Sequence, residues 1–194
     1  MKAISTKIDF LTESEVKELL KTDFSKTQLN TVRDAFIFAC FTGLSYSDLN
    51  NLRKDHLIFL SNGSVWLRMG ISKSSKMREI PLLDIPRKIL EKYKNQSDNC
   101  LIPIPPQQLF NWYLKNICQK CNINKNITSL SARRTFATTI AFTNGISIQA
   151  IANILGHSSL KSTFTFLNIT NEKISIDMEE LTRKINKNNI SITL

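Results

Sequence analysis

The feature that most constrains this chain is a change in periodicity near its middle. Between Leu57 and Pro81, short β-prone runs alternate with turn residues, and Asn62-Gly63 is a strong hairpin signal. The polar stretch from Lys73 to Lys76 indicates the exposed tip of a second hairpin. Helical spacing holds on both sides of this segment. We therefore predict a mainly α fold with a small three-stranded antiparallel sheet, an α+β arrangement.

Helix boundaries are marked by capping residues, glycines and prolines. Thr12 and Glu15 have capping-box spacing before an apolar run, and Ser47 is the expected N-cap of a short helix. Gly145 and Gly156 are expected to end helices. Together these signals predict helices over 13–21, 29–40, 131–142, 148–155, 160–167 and 171–187, with others following Ser47, Pro86 and Pro106.

Length and composition favour a single domain with a polyanionic partner. The 194 residues suit one domain over 1–187, followed by a polar tail over 188–194. A net charge of +10 and a pI near 9.6 suit a partner such as nucleic acid. No apolar run approaches the roughly 18 residues needed to cross a bilayer, and the first residues lack a signal-peptide pattern. We expect a cytoplasmic protein without a membrane partner.

The cysteines do not predict a metal site. Cys118 and Cys121 form the one closely spaced pair, but zinc would need two more ligands at matching spacing. The pair lies on the apolar stripe of a predicted helix, where cysteine commonly packs as a small apolar residue. We therefore predict core packing for both, and neither a metal nor a cofactor.

Four segments carry a resemblance to a known family. They are DAFIFACFTGLSYSDLNNL at 34–52, a strand pair with Lys73 eight residues before Pro81, LSARRTFATTIAFTNGISIQAIANILGH at 130–157, and the nine-residue interval between His157 and Phe166. In this order they resemble the catalytic domain of tyrosine recombinases, the phage integrase family. The first segment is most similar to Bacteroidetes integrases. The resemblance spans about Phe10 to Thr170 and implies the recombinase catalytic-domain fold.

The resemblance implies DNA cleavage without a metal. In such enzymes a tyrosine hydroxyl attacks the scissile phosphate and forms a 3′-phosphotyrosyl link. Cations stabilise the transition state, and an acid protonates the leaving 5′-oxygen. By position, Arg133 matches an arginine that grips a phosphate oxygen, Lys73 the lysine that protonates the leaving oxygen, and His157 a histidine that binds the phosphate.

Three positions depart from the family pattern. Ser45 stands where the family has its first arginine, and Arg53 is a candidate for a compensating cation, although it does not align with that position. Leu130 replaces a histidine that donates and carries protons. Phe166 replaces the nucleophilic tyrosine and has no hydroxyl for covalent chemistry. The chain has three tyrosines, all of which precede Arg133.

Four further cations are candidate DNA contacts. Arg134 suits a phosphate contact about as well as a solvated helix charge. Lys76 and Arg78, beside Lys73, could substitute for that lysine or bind the DNA backbone, and Lys161 follows the LGH motif.

These residues leave several functions open. The resemblance implies a DNA-binding integrase domain of a mobile genetic element, unable to cleave as this chain. Alternatives are a pseudo-recombinase that modulates an active partner, an integrase engineered from Tyr to Phe, and a structural interaction domain. Because Ser45 and Leu130 are also changed, natural loss of function is favoured over one designed substitution. We expect no counterpart of the family's N-terminal DNA-clamping domain in these residues, and the partner on DNA could be a second copy or an intact recombinase.

Overall fold

The computed structural model describes residues 9–25, 28–70, 77–95, 99–167, 169 and 171–187. Within these ranges the chain forms nine α-helices and one small sheet. The helices are α1 Glu13–Lys21, α2 Gln28–Thr42, α3 Tyr46–Asn50, α4 Asp84–Tyr93, α5 Gln107–Lys120, α6 Ser129–Thr135, α7 Ile148–Leu155, α8 Leu160–Phe164 and α9 Asn171–Lys187. The strands are β1 Leu57–Phe59, β2 Val65–Gly70 and β3 Met77–Pro81. A 3-10 turn, Lys54–His56, precedes β1, and a π-helical segment, Phe136–Phe142, follows α6.

Helix α2 is the centre of the core. Most of its side chains are buried, including Phe36 and Phe38, and α1, α4, α5 and α6 all pack against it. A helix that is apolar on every side is stable only when other elements cover it. The predicted capping box is confirmed at the start of α1, where Thr12 accepts from the Glu15 amide and Glu15 accepts from the Thr12 amide.

The small sheet is antiparallel in the order β1-β2-β3, as predicted. Leu67 of β2 pairs with Leu57 of β1 and with Ile80 of β3. The first hairpin turns at Asn62-Gly63, where Gly63 has a φ of +78°, a conformation that glycine adopts without steric cost. The predicted second hairpin tip, Lys73 to Lys76, lies outside the described residues.

Three helix predictions are corrected. Ser45, not Ser47, is the N-cap of α3, because its hydroxyl accepts from the Asp48 amide. The stretch over 131–142 is not one α-helix: hydrogen bonds five residues apart, such as Thr143 N to Thr138 O at 3.0 Å, make its second half π-helical. Helix α8 ends at Phe164, and the chain leaves it through tighter turns, with Phe166 N donating to Thr163 O.

The two closely spaced cysteines lie in the core. Cys118 and Cys121 are both buried, and burial raises the pKa of the Cys118 thiol to about 11. In the described part of the chain, no three His, Cys, Asp or Glu side chains come together as a metal site. Every helix in the same ranges is too short or too polar to cross a bilayer.

Candidate active site

Several elements converge on a pocket of about 350 Å³. Helix α3 and its cap form one wall, β3 another, and α6 a third. The end of α7 and the turn after α8 complete it. The lining residues are Ser45, Asp48, Arg78, Leu130, Arg133, Leu155, Gly156 and Phe166. Ser45, Leu130, Arg133 and Phe166, singled out from the sequence, are thus brought together from distant parts of the chain.

Arg133 is fixed by backbone oxygens from two turns. Its Nη1 donates to Gly43 O at 2.9 Å, and its Nη2 donates to Leu155 O at 2.8 Å. Burial, followed by the positive charge of Arg78, lowers the pKa of Arg133 to about 10, and Asp48 opposes that shift. The guanidinium therefore stays charged at neutral pH and is already ordered before any ligand binds.

His157 lies beside Arg133 as a neutral ring. The Nη2 of Arg133 is 3.2 Å from His157 Nε2. Since a guanidinium can only donate, Nε2 accepts and the ring proton is assigned to Nδ1, which donates to Thr163 Oγ1 at 2.9 Å. Burial and the charge of Arg133 lower the pKa of His157 to about 4. The ring is thus deprotonated at neutral pH.

Arg78 enters the site as a buried ion pair. Its side chain is 5% exposed, and its Nη2 lies 2.7 Å from Asp48 Oδ1. The other oxygen of Asp48 accepts from both the amide and the hydroxyl of Ser45, at 2.7 and 2.6 Å. Burial alone would raise the pKa of Asp48, but these hydrogen bonds and the charge of Arg78 hold it below its ordinary value. One carboxylate therefore ties Ser45 and Arg78 together.

Phe166 occupies the wall of the pocket. Its ring packs edge-on against His157, with centroids 4.9 Å apart, and its centroid lies 5.9 Å from the Arg133 guanidinium carbon. The aromatic side chain at this position therefore points at the two groups expected to hold a phosphate. It brings no hydroxyl to them.

The other predicted residues fall in four groups. Leu130 lines the pocket and is 41% exposed, without hydrogen-bonding capacity in its side chain. Arg134 Nη2 donates to Thr165 O at 2.6 Å, and Lys161 is exposed on α8. Arg53 does not line the pocket: its Nη1 donates to the carbonyls of Asn50 and Leu52. Lys73 and Lys76 lie outside the described residues.

Two residues of the site were missed in the sequence. Asp48 holds Arg78 in place, and Thr163 orients His157. The spacing of Ser45 and Asp48 could have indicated the first, since it is that of a capping box. No local signal marks Thr163, because its partner is decided by how α8 turns back onto the end of α7.

A sequence profile of the Phage integrase family matches residues 9–173. The chain belongs to the phage integrase family. The match runs from the residues before α1 into the start of α9, so it includes the whole pocket. The chain is therefore a tyrosine recombinase domain by descent.

Curated tyrosine recombinases show the same relationship. The chain is 31% identical over 175 residues to tyrosine recombinase XerA of Thermococcus kodakarensis, covering 84% of this chain and 59% of that protein. It is 29% identical over 172 residues to a tyrosine recombinase of Thermosipho africanus, covering 85% of this chain and 59% of that protein. The chain thus spans about three fifths of the length of these relatives.

Solved recombinase structures share the fold. The crystal structure of XerA recombinase superposes with a TM-score of 0.70 at 23% identity, covering 94% of this chain and 66% of that one. A Tn1549 transposon integrase in complex with circular intermediate DNA gives a TM-score of 0.71 at 20% identity, covering 93% of this chain and 68% of that one. These likenesses confirm the predicted mainly α fold with its small antiparallel sheet.

Proposed function

We propose that this chain is a site-specific recombinase domain that binds duplex DNA at a phosphate but cannot cleave it as it stands. The observation that carries the proposal is a cluster in which His157 contacts both Arg133 and Phe166, two residues that line one pocket. Two of these groups suit a phosphate, and the third fills the nucleophile's place without a hydroxyl. The named DNA complexes among structurally similar integrases support duplex DNA as the partner.

Arg133 has the donors that phosphate binding needs. A guanidinium carries five N–H groups, and three are engaged with Gly43 O, Leu155 O and His157 Nε2. The remaining N–H groups can donate to phosphate oxygens, and charge-assisted bonds of this kind are about twice as strong as neutral ones. Fixing the side chain beforehand reduces the entropy lost when the phosphate binds.

His157 can change its protonation state when a phosphate binds, because the charge of Arg133 helps to keep the ring neutral. In the DNA-free chain Nε2 accepts from Arg133 and cannot also donate. The positive charge of Arg133 disfavours a protonated His157 beside it. A phosphate anion in the pocket would compensate that charge. We infer that DNA binding raises the pKa of His157, so that Nε2 takes up a proton and donates to a phosphate oxygen.

Arg78 offsets part of the charge that is lost at Ser45. It lines the same pocket as Arg133 and reaches it from β3, whereas Arg53 turns to the backbone of its own segment. Asp48 neutralises part of this charge, so the pocket keeps a weaker net positive charge than two unpaired arginines would give. The presence of Arg78 in the pocket supports phosphate binding even though position 45 carries a serine in place of the family's arginine.

The chain cannot cleave DNA because it lacks a nucleophile and a proton carrier at the expected positions. Phe166 has no hydroxyl, and Leu130 lacks the imidazole expected beside Arg133. The hydroxyls of Tyr46 and Tyr93 donate elsewhere, to Pro105 O at 2.8 Å and Asp34 Oδ2 at 2.8 Å. Tyr113 lines a separate groove on α5. None of these three tyrosines lies in the described lining of the active-site pocket.

The combination of changes favours a naturally degenerate integrase of Bacteroidetes type from a mobile genetic element. One designed Tyr-to-Phe change would account for Phe166 but not for Ser45 and Leu130. A tyrosine-to-phenylalanine form of the Tn1549 integrase does exist in complex with DNA, so the engineered reading is the second candidate. A pseudo-recombinase that modulates an active partner is compatible with the same losses.

Incubation with nicked suicide DNA duplexes tests the proposal. The unaltered chain should bind in a salt-sensitive manner and form no covalent adduct. Phe166→Tyr should begin to form a 3′-phosphotyrosyl adduct, and Phe166→Tyr with Leu130→His should form it faster. Phe164→Tyr is the matched control, because it places a hydroxyl two residues away on an exposed ring outside the described pocket lining.

Each outcome separates one candidate from the others. An adduct with the unaltered chain would overturn the inactive reading. No binding to any duplex at low salt would favour the structural-domain hypothesis. Restoration by Phe166→Tyr alone, to the rate of the double variant, would favour the engineered form over natural degeneration.

A further inference from the structure

The backbone that carries residue 166 is held from two sides by its own chain. Arg134 Nη2 donates to Thr165 O at 2.6 Å, and Thr138 Oγ1 donates to Phe166 O at 2.8 Å. Both acceptors are main-chain carbonyls. These bonds do not depend on the side chain at position 166 and would hold a tyrosine there in the same way.

The π-helical segment places Thr138 for this contact. In that segment the hydrogen bonds span five residues, which widens the helix by about one residue per turn. The two adjacent threonines donate hydrogen bonds to different segments. Thr138 Oγ1 donates to Phe166 O, and Thr139 Oγ1 donates to Leu11 O. Single π-turns of this kind occur frequently at functional sites.

Arg134 adds a second contact to the same segment. Its guanidinium carbon lies 5.8 Å from the centroid of the Phe166 ring, on which Arg133 also stacks at 5.9 Å. The side chain therefore contacts residue 166 by its ring and residue 165 by its carbonyl. This is a different use of Arg134 from the DNA phosphate contact or solvated charge that its sequence position predicted.

We propose that Arg134 and Thr138 are positioning residues that clamp the backbone of residues 165–166, so that the side chain at 166 docks beside Arg133 of its own chain. The catalytic role of this clamp rests on the proposed function, but the hydrogen bonds that form the clamp do not depend on DNA cleavage. The clamp makes delivery of residue 166 to the pocket an intramolecular event, with the ring held close to the phosphate-binding groups before DNA arrives.

Hydrogen–deuterium exchange in the unaltered chain tests the clamp without any activity. Thr138→Val removes the hydroxyl donor but keeps the shape, and Thr139→Val is the matched control one residue away. Thr138→Val should raise amide exchange of the peptide over 160–167 by about two- to tenfold, the effect of losing one hydrogen bond. Thr139→Val should leave that peptide unchanged and affect the segment near Leu11. Equal effects of both changes, or none from Thr138→Val, would overturn the clamp.

The catalytic role of the clamp is tested in a chain that carries Phe166→Tyr. Adding Thr138→Val should slow adduct formation at saturating DNA by about two- to tenfold while the dissociation constant for DNA stays the same. Thr138→Ser should restore the rate. A rise in the dissociation constant with an unchanged rate would contradict positioning. If Phe166→Tyr forms no adduct while exchange responds as expected, the catalytic role of the clamp is overturned and its structural role stands; loss of duplex binding at low salt would instead overturn the proposed function.

Discussion

The Nε2 atom of His157 accepts a hydrogen bond from Nη2 of Arg133 at 3.2 Å. This contact makes the histidine a neutral partner of a fixed cation in the DNA-free chain. The same nitrogen must change from acceptor to donor if it is to bind a phosphate oxygen. From the proposed function we therefore expect this pair to link DNA binding to protonation of His157.

The first prediction concerns the titration of His157. Its pKa is about 4, below the ordinary 6.5, because burial and the Arg133 charge oppose the imidazolium form. Proton NMR of the C2–H signals should show one histidine with this low midpoint, and His56→Gln should remove the other signal. A His157 midpoint near 6.5 in the free chain would contradict the neutral pairing. Adding duplex DNA should move the midpoint upward.

The second prediction concerns stability against pH. Since the folded pKa of His157 is lower than the unfolded value, the unfolded chain binds the extra proton first as the pH falls. Stability should therefore decline between about pH 6.5 and about pH 4 and be unaffected by this group above that window. Urea unfolding across this range should show a shallower decline for His157→Gln than for the unaltered chain. Parallel curves would assign the acid sensitivity to other groups.

The third prediction concerns the Arg78–Asp48 pair. Arg78→Met leaves the Asp48 carboxylate buried without its cation, which should cost about 3–5 kcal/mol in free energy of unfolding. Arg78→Met with Asp48→Asn should recover most of that loss, because the amide oxygen can still accept from Ser45. Urea titration measures both changes.

The same double variant separates the stabilising role of Arg78 from its proposed role at the phosphate. If Arg78 offsets the charge missing at Ser45, the stable double variant should bind duplex DNA more weakly than the unaltered chain. Unchanged DNA affinity in a fully folded double variant would confine Arg78 to a structural role.

The fourth prediction concerns the turn that anchors Arg133. Gly43 has a φ of +70°, and a Cβ there would lie 2.9 Å from Phe136 Cδ1 and 3.1 Å from Leu155 Cδ2. Gly43→Ala should cost about 1–2 kcal/mol from the backbone conformation and about 1–3 kcal/mol more from overpacking. Gly63→Ala is the control, because its φ is +78° but nothing lies within 4 Å. Thermal unfolding should show a larger loss of stability for Gly43→Ala than for Gly63→Ala. Equal losses would exclude a contribution from crowding against Phe136 and Leu155.

The fifth prediction concerns the proposed DNA contact of Lys161. This lysine is exposed on α8, the helix that precedes Phe166 in the chain. Lys161→Gln should weaken binding to all duplexes and reduce the slope of log affinity against log salt by about 1, as for one lost phosphate contact. Lys88→Gln on α4, which contributes no residue to the described pocket lining, should change the slope little. Fluorescence anisotropy at several salt concentrations measures both.

Much of the fold was predictable because its signals are local. The capping box of Thr12 and Glu15 and the stop at Gly156 each depend on residues within one or two turns. The helix over 148–155 and the order of the three strands were confirmed for the same reason. The π-helical segment was not predictable, since its apolar spacing resembles that of an α-helix and packing decides where the extra residue is accommodated.

The sequence by itself determined which chemistry the site lacks, because a phenylalanine at 166 and a leucine at 130 have no hydroxyl or imidazole in any fold. The family resemblance of the sequence also predicts Arg133 and His157 as the groups that hold a phosphate. Only the tertiary structure decided that Arg78 rather than Arg53 joins them, and that Arg134 turns to the backbone of Thr165. The reason is that ion pairs and carbonyl contacts between distant segments depend on strand register and helix packing, which no local pattern encodes.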